Sequence, residues 1–319
     1  IVVIDFNACK VQIYGLQDGK FLAMTDSLES IPRAMCLMDA TTICVLYKDG
    51  VIKMMSSDYT DNSRVLKMTR NLRLQGVFDV YHGVVRFKDN LVVSGLKQGT
   101  MYWCMLSLDD GHVDTIHQIC KGDEFCSVTA KENMVYVSCY AGYKSRDNTG
   151  VYGFDILNPS QFKYAYKHQR LQRPTSIVIN ENGNIFVCNG FLDDNIHQLT
   201  ASCQLVAIFT QGIPQNPIDM FWDHGRLYVT CFGSSDITVF QPVYQGPDKA
   251  SEVQMSNERK QPIIEETSIK IGQGNVDTGQ SDIKTEIPPS GTSRVDSQDE
   301  KQGFSQLQPP SFTLAAMVC

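Results

Sequence analysis

The side chains best suited to chemistry by type and spacing sit in two neighbouring stretches. "YAGYKSRDNTG" (140–150) carries Tyr140, Tyr143, Lys144 and Arg146, and "YKHQRLQRP" (166–174) carries Tyr166, Lys167, Arg170 and Arg173. A third stretch, "MTRNLRLQG", adds Arg70 and Arg73. Cations interleaved with aromatics neutralise phosphates and stack unpaired bases, as a single-strand RNA reader requires. The same composition also describes ordinary solvated loop charge, and both readings stand. The chain's net charge of -7 argues against a protein built wholly around nucleic acid, and DNA is not an expected partner.

Other reactive residue types are scattered. His82, His112, His117, His168, His197 and His224 fall in different parts of the chain and share no motif. The 11 cysteines include no C-x-x-C pair, so a zinc site has no support. Most lie in apolar runs, where cysteine acts as a small buried hydrophobe. No N-x-S/T sequon is usable, because Asn158 precedes a proline. Free thiols without sequons point to a reducing compartment, the cytoplasm. No apolar run approaches the ~18 residues of a membrane span. "IKTE" (283–286) has the apolar-Lys-x-Glu spacing of a SUMO acceptor, with Lys284 as its lysine. No cofactor or metal is expected.

What must position these residues is a repeat. "IVVID", "TICVLY", "NLVVSG", "MVYVSCY", "NIFVCNG" and "RLYVTCFG" recur about 40 to 50 residues apart, the period of four-stranded propeller blades. Before most comes an apolar strand and a turn ("RAMCLMDAT", "GVVRFKD", "CSVTAKEN", "TSIVINENG", "IDMFWDHG"). A third strand follows each, and several units add a fourth ("KFLAM", "RVLKM", "VDTIHQI", "FKYAY", "LVAIF"). Asp, Asn and Gly at the joints make antiparallel meanders. One such sheet cannot bury both faces, whereas a radial ring can. The expected fold is all-β, a six-bladed propeller over 1–243, with a disordered, acidic Pro/Ser/Gln-rich tail over 244–319.

In this scheme the first blade lacks its first strand and the last lacks its fourth. Ile1 is expected to begin mid-blade, with upstream sequence supplying a missing strand. The closing "PPSFTLAAMVC" is mildly apolar and fits a short docking peptide. In the ring, the innermost strands are mostly apolar or neutral, and Arg86 and Asp219 are their charged exceptions. Each is either a satisfied channel residue or a ligand in a metal-dependent hydrolase of the lactonase type, whose hard cation wants oxygen donors. Loops joining second to third strands share one face with the crossovers between blades. This brings the 140–150 and 166–174 stretches together, and "MTRNLRLQG", as another crossover, adds Arg70 and Arg73 on the same face.

"VVIDFNACKVQIYGLQDGKFL", through Asp5, Asn7, Val11 and Gly19, resembles an NHL repeat. "RPTSIVINENGNIFVCNGFLDDNIHQL" fits through Pro174, Gly183, Asn184 and Val187, and departs where Asn189 stands near the family's usual Asp. The run from Ile1 to about Gln241 is similar to the C-terminal propeller of tripartite-motif (TRIM)-type proteins, especially the expanded invertebrate set. That resemblance implies a non-catalytic module binding partner proteins, among them ubiquitination substrates for a RING elsewhere in the parent. It also implies an upstream coiled coil that dimerises the parent. The Cys/His spacing of a RING is absent from this chain.

Overall fold

The computed structural model describes residues 2–5, 10–14, 21–24, 30–39, 41–57, 66–74, 76–122, 124–190, 193–234, 236–242, 264–270 and 317–318. The chain is a β-propeller of four-stranded antiparallel sheets. β1 (Val2–Asp5), β2 (Lys10–Tyr14) and β3 (Phe21–Met24) open the chain. Continuous blades then follow one another. The first holds β4 (Pro32–Leu37), β5 (Thr42–Tyr47), β6 (Val51–Ser57) and β7 (Leu66–Arg73). The next holds β8 (Val80–Phe87), β9 (Asn90–Lys97), β10 (Thr100–Ser107) and β11 (His117–Lys121). β12 (Phe125–Lys131), β13 (Met134–Tyr140), β14 (Gly150–Asp155) and β15 (Asn158–Tyr166) form the third. β16 (Pro174–Ile179), β17 (Ile185–Asn189), β18 (Asn195–Leu199) and β19 (Leu205–Phe209) form the fourth. β20 (Pro217–Asp223), β21 (Arg226–Cys231), β22 (Asp236–Pro242) and β23 (Ile264–Lys270) form the fifth. β24 (Met317–Val318) pairs antiparallel with β1.

The burial pattern explains the repeat. Second strands are buried almost throughout, as in "TICVLY", "MVYVSCY" and "IFVCN". Strand side chains alternate between faces, so each second strand serves two neighbours. In β5, Cys44 and Leu46 pack toward Leu91 and Val93 of the following blade, while Ile43, Val45 and Tyr47 pack with Val11 of the preceding sheet. In β17, Ile185 and Val187 join Tyr136 and Tyr166, while Phe186 and Cys188 join Val229 and Phe240. Each large apolar side chain buried this way contributes about 1.5–3 kcal/mol. Outermost strands are exposed instead, most clearly β15 and β19. Turns use the expected chemistry: in "NENGN" the Asn184 amide donates to Asn180 Oδ1 (2.8 Å), and Gly183 adopts φ of 82°.

Three expectations need correction. Five blades are continuous rather than six; the remaining four-stranded sheet is composite, joining β1–β3 to β24. Its innermost strand comes from the end of this chain, not from upstream sequence. Met317 and Val318 of the expected docking peptide thus lie against their own propeller, where β24 touches both β20 and β4. The last continuous blade does not lack its fourth strand either. β23, inside the stretch expected to be disordered, pairs with β22 from Asp236↔Lys270 to Pro242↔Ile264. An outermost strand has solvent on one side, so it needs no apolar run and hides among polar residues. The 243–263 gap before it also erases any hairpin signal. All described strands belong to one compact unit, 1–272 with 312–319. The second unit, 273–311, lies outside the described residues, and so does Lys284.

Ending the chain at residue 242 removes β23 and β24 and leaves two unpaired sheet edges, a template for mispairing. The truncated chain is expected to unfold at a lower urea concentration than the full chain and to aggregate on concentration. Urea titration followed by tryptophan fluorescence, with light scattering alongside, checks both.

Candidate functional site

Strand register puts the basic stretches on one face. Tyr140 pairs with Phe125 at the start of β12, Tyr166 pairs with Val151 at the start of β14, and Pro174 pairs with Asn189 at the end of β17. The loop after β13, the crossover after β15 and the loop after β17 therefore emerge together. The first contains a 3-10 helix, Tyr143–Asn148. It is anchored by Asn148 Nδ2 donating to the Lys121 carbonyl (2.9 Å) and by the Tyr152 hydroxyl donating to the Asn148 carbonyl (2.8 Å). Lys167 reaches across from the crossover and donates to the Asp147 carbonyl.

Asn189 ties the face together. Its Nδ2 donates to the carbonyls of Arg170 (2.9 Å) and Asp193 (2.6 Å), and its Oδ1 accepts from the Arg173 amide (2.7 Å). The position where the sequence departs from the NHL pattern is thus a buried hub satisfied on both amide atoms. Around it, Arg170 makes a two-pronged ion pair with Asp193, Nε to Oδ2 at 2.8 Å and Nη2 to Oδ1 at 3.1 Å. That contact raises the Arg170 pKa and lowers that of Asp193. Asp194 Oδ1 accepts from the Asn216 amide (2.9 Å), fastening the same loop to the next crossover. At Gly190 a β-carbon would collide with the Pro217 carbonyl, so this close approach needs glycine.

The sequence-derived candidates divide into groups. Arg173 lies over the Tyr140 ring, 5.3 Å from its centroid, and Tyr140 is buried. Tyr166 is buried too, its hydroxyl bonded to His197 Nδ1 at 2.7 Å. Burial, then the nearby His168 and Arg170, push His197 down to about 3, so the ring is neutral. Neither tyrosine offers a free ring face for a base. Arg146 is exposed beside the crossover, whereas the side chains of Tyr143 and Lys144 lie outside the described residues. Arg70 is not on a crossover as expected: it is inside β7, opposite Met54, and its Nη2 donates to the Asp109 carbonyl (2.8 Å). The reason is that β7 runs on through "TRNLR" as an edge strand. Arg73, at the end of β7, is exposed on the loop face.

A second candidate lies on the axis. Innermost strands β4, β8, β12, β16 and β20 enclose a channel of about 280 Å³. Asp219 is a satisfied channel residue: its Oδ1 accepts from Ser176 Oγ (2.6 Å) and from the Met220 amide (2.9 Å). Burial pushes its carboxyl up to about 6, against the pull of those two donors. Arg86 is exposed and donates from Nε to the Lys88 carbonyl (3.2 Å). Arg33 and His82 also line the channel, and sequence reasoning missed both as site residues. Arg33 opens the repeat segment "RAMCLMDAT" and is a third charge on an innermost strand beside Arg86 and Asp219, whereas His82 carries no signal beyond being one of the dispersed histidines. Among the described residues no three His, Cys, Asp or Glu side chains are grouped to hold a metal ion.

No protein-family model matches the chain, and no curated protein matches it in sequence. Solved structures do share the fold. A functionally unknown protein from Desulfotomaculum acetoxidans superposes with a TM-score of 0.53 at 12% identity, over 76% of this chain and 75% of that one. A protein of unknown function from Bacteroides caccae gives 0.54 at 16% identity, over 72% and 82%. A chain of a nidogen/laminin complex gives 0.56 at 7% identity, over 75% and 88%. At these identities the likeness defines the class, a β-propeller, and nothing narrower.

Replacing Asn189 by Ala strands the Arg173 amide and the Arg170 and Asp193 carbonyls, and should cost about 2–4 kcal/mol. Asn189→Asp should cost at least as much, because it sets a carboxylate against those two carbonyls. Urea midpoints of both variants check this. Asp219→Asn keeps an acceptor for Ser176 and Met220 and removes the charge. The folded pKa of about 6 lies above the ordinary 3.8. The fold therefore favours the protonated acid, a preference complete below 3.8 and lost as pH rises through 6. The Asn variant should be more stable than wild type at pH 8, by about 1–3 kcal/mol, with the gain vanishing near pH 4.

Proposed function

We propose that this chain is a non-catalytic recognition module that binds partner proteins through the loop face of the propeller. The observation carrying this reading is the way that face is built. Asn189, Asp193 and Asp194 lock the loop after β17 to the crossovers on either side, giving a preorganised surface at little conformational cost on binding. Most cations there are already engaged: Arg170 by Asp193, Lys167 by a carbonyl, Arg173 by Tyr140. Such a surface suits a shaped protein partner better than a polyphosphate chain. A propeller of the same fold in a nidogen/laminin complex is in keeping with this reading.

In the fuller form of the proposal, the ring has six blades, the composite one closed by β24, and is NHL-like. It belongs to a TRIM-type parent acting in the cytoplasm, dimerised by a coiled coil, with its partners as substrates of a RING. The nine described cysteines, all free and buried, fit a reducing compartment.

A pull-down with the full chain, with and without RNase, tests the core of the reading. Discrete proteins are expected to survive RNase. They should be lost when exposed Arg73 and Arg146 are both reversed to Glu, changes that leave the anchoring contacts of the face intact. Recovery of RNA, or loss of every partner after RNase, would replace protein recognition with single-strand RNA binding.

A further inference from the structure

Four innermost strands carry a β-bulge at the same level, near the loop face. The unpaired residues are Arg33 in β4, His82 in β8, Thr175 in β16 and Ile218 in β20. A bulge re-aims the extra side chain, and all four line the channel. Two of them keep unused hydrogen-bonding capacity: Arg33 Nε and His82 Nε2 are buried and make no hydrogen bond. His82 is only 8% exposed, and its ring packs edge-on against Phe125, centroids 5.2 Å apart at 69°. Native interiors satisfy the large majority of buried polar atoms, so two unsatisfied ones on channel-lining side chains of neighbouring strands mark where a polar occupant can be held.

The chemistry of the wall narrows that occupant. A guanidinium and a neutral imidazole together offer a charge-assisted donor and a second N–H, matching the two oxygens of a carboxylate. Much of the remaining wall is apolar, including Ala34, Val84, Val85, Ile177 and Met220. The Asp219 carboxyl faces the same space and opposes a second negative group. We propose that the channel binds a small monocarboxylic acid with an apolar body, its carboxylate held by Arg33 and His82. The site is independent of the loop-face reading, and either stands if the other fails.

The test is calorimetric titration of the full chain with benzoate and hexanoate, using benzamide, succinate and inorganic phosphate as controls. At least one monocarboxylate should bind saturably at one per chain. The neutral amide, the dicarboxylate and phosphate should bind at least about tenfold more weakly. Arg33→Gln should weaken the monocarboxylate about 10- to 100-fold. Titration of wild type labelled at histidine should move the His82 ring resonances, a readout that does not depend on any variant folding. Absence of saturable monocarboxylate binding up to about 10 mM, equal binding of the amide, or unmoved His82 signals would overturn the proposal. So would a folded Arg33→Gln protein of unchanged affinity.

Discussion

Everything in this molecule depends on the burial of second strands between neighbouring blades. A strand such as β5 or β17 divides alternate side chains between two interfaces, and neither face is satisfied without its neighbour. Several large apolar residues per interface, at about 1.5–3 kcal/mol each, outweigh a partly exposed ion pair such as Arg170–Asp193, worth about 1 kcal/mol or less. The ring is therefore held by interfaces more than by ion pairs among its loops. The same constraint explains the use made of the chain's last described residues: β24 occupies the innermost position beside β1 and meets both β20 and β4.

The two candidate sites differ in how far their polar groups are satisfied. On the loop face Asn189 stands at the centre of a network that joins two crossovers and a loop. Such a network sets shape. In the channel, Asp219 is satisfied but kept at a cost in charge burial, while Arg33 Nε and His82 Nε2 make no hydrogen bond. Burial and the neighbouring Arg33 hold His82 down to about 4, so it faces the channel as a neutral ring. Shape on one surface and unsatisfied donors on the axis are separable properties of one scaffold.

The strand pattern was legible because the middle of a blade is read twice, once by each neighbour. Runs such as "ICVLY" and "VYVSCY" are buried at every position for that reason. β23 was illegible for the opposite reason: at the outer edge only pairing matters, and "IEETSIK" pairs along its whole length without an apolar run. The crossing of the 140–150 and 166–174 stretches followed from topology, and Lys167 does reach the Asp147 carbonyl. That Tyr140 and Tyr166 would be buried did not follow, since aromatic residues beside basic ones read the same whether their rings face water or the core.

By itself, the sequence determined the class of element and the repeat, because these depend on local alternation and turn chemistry. Only the tertiary structure decided which polar groups are satisfied. Arg170 finds Asp193 23 residues away, Ser176 finds Asp219 43 residues away, and Arg33 and His82 share the channel through bulges that shift register by one residue. A hydrogen bond is set by ångströms and angles between atoms remote in the chain, and no local pattern carries that information.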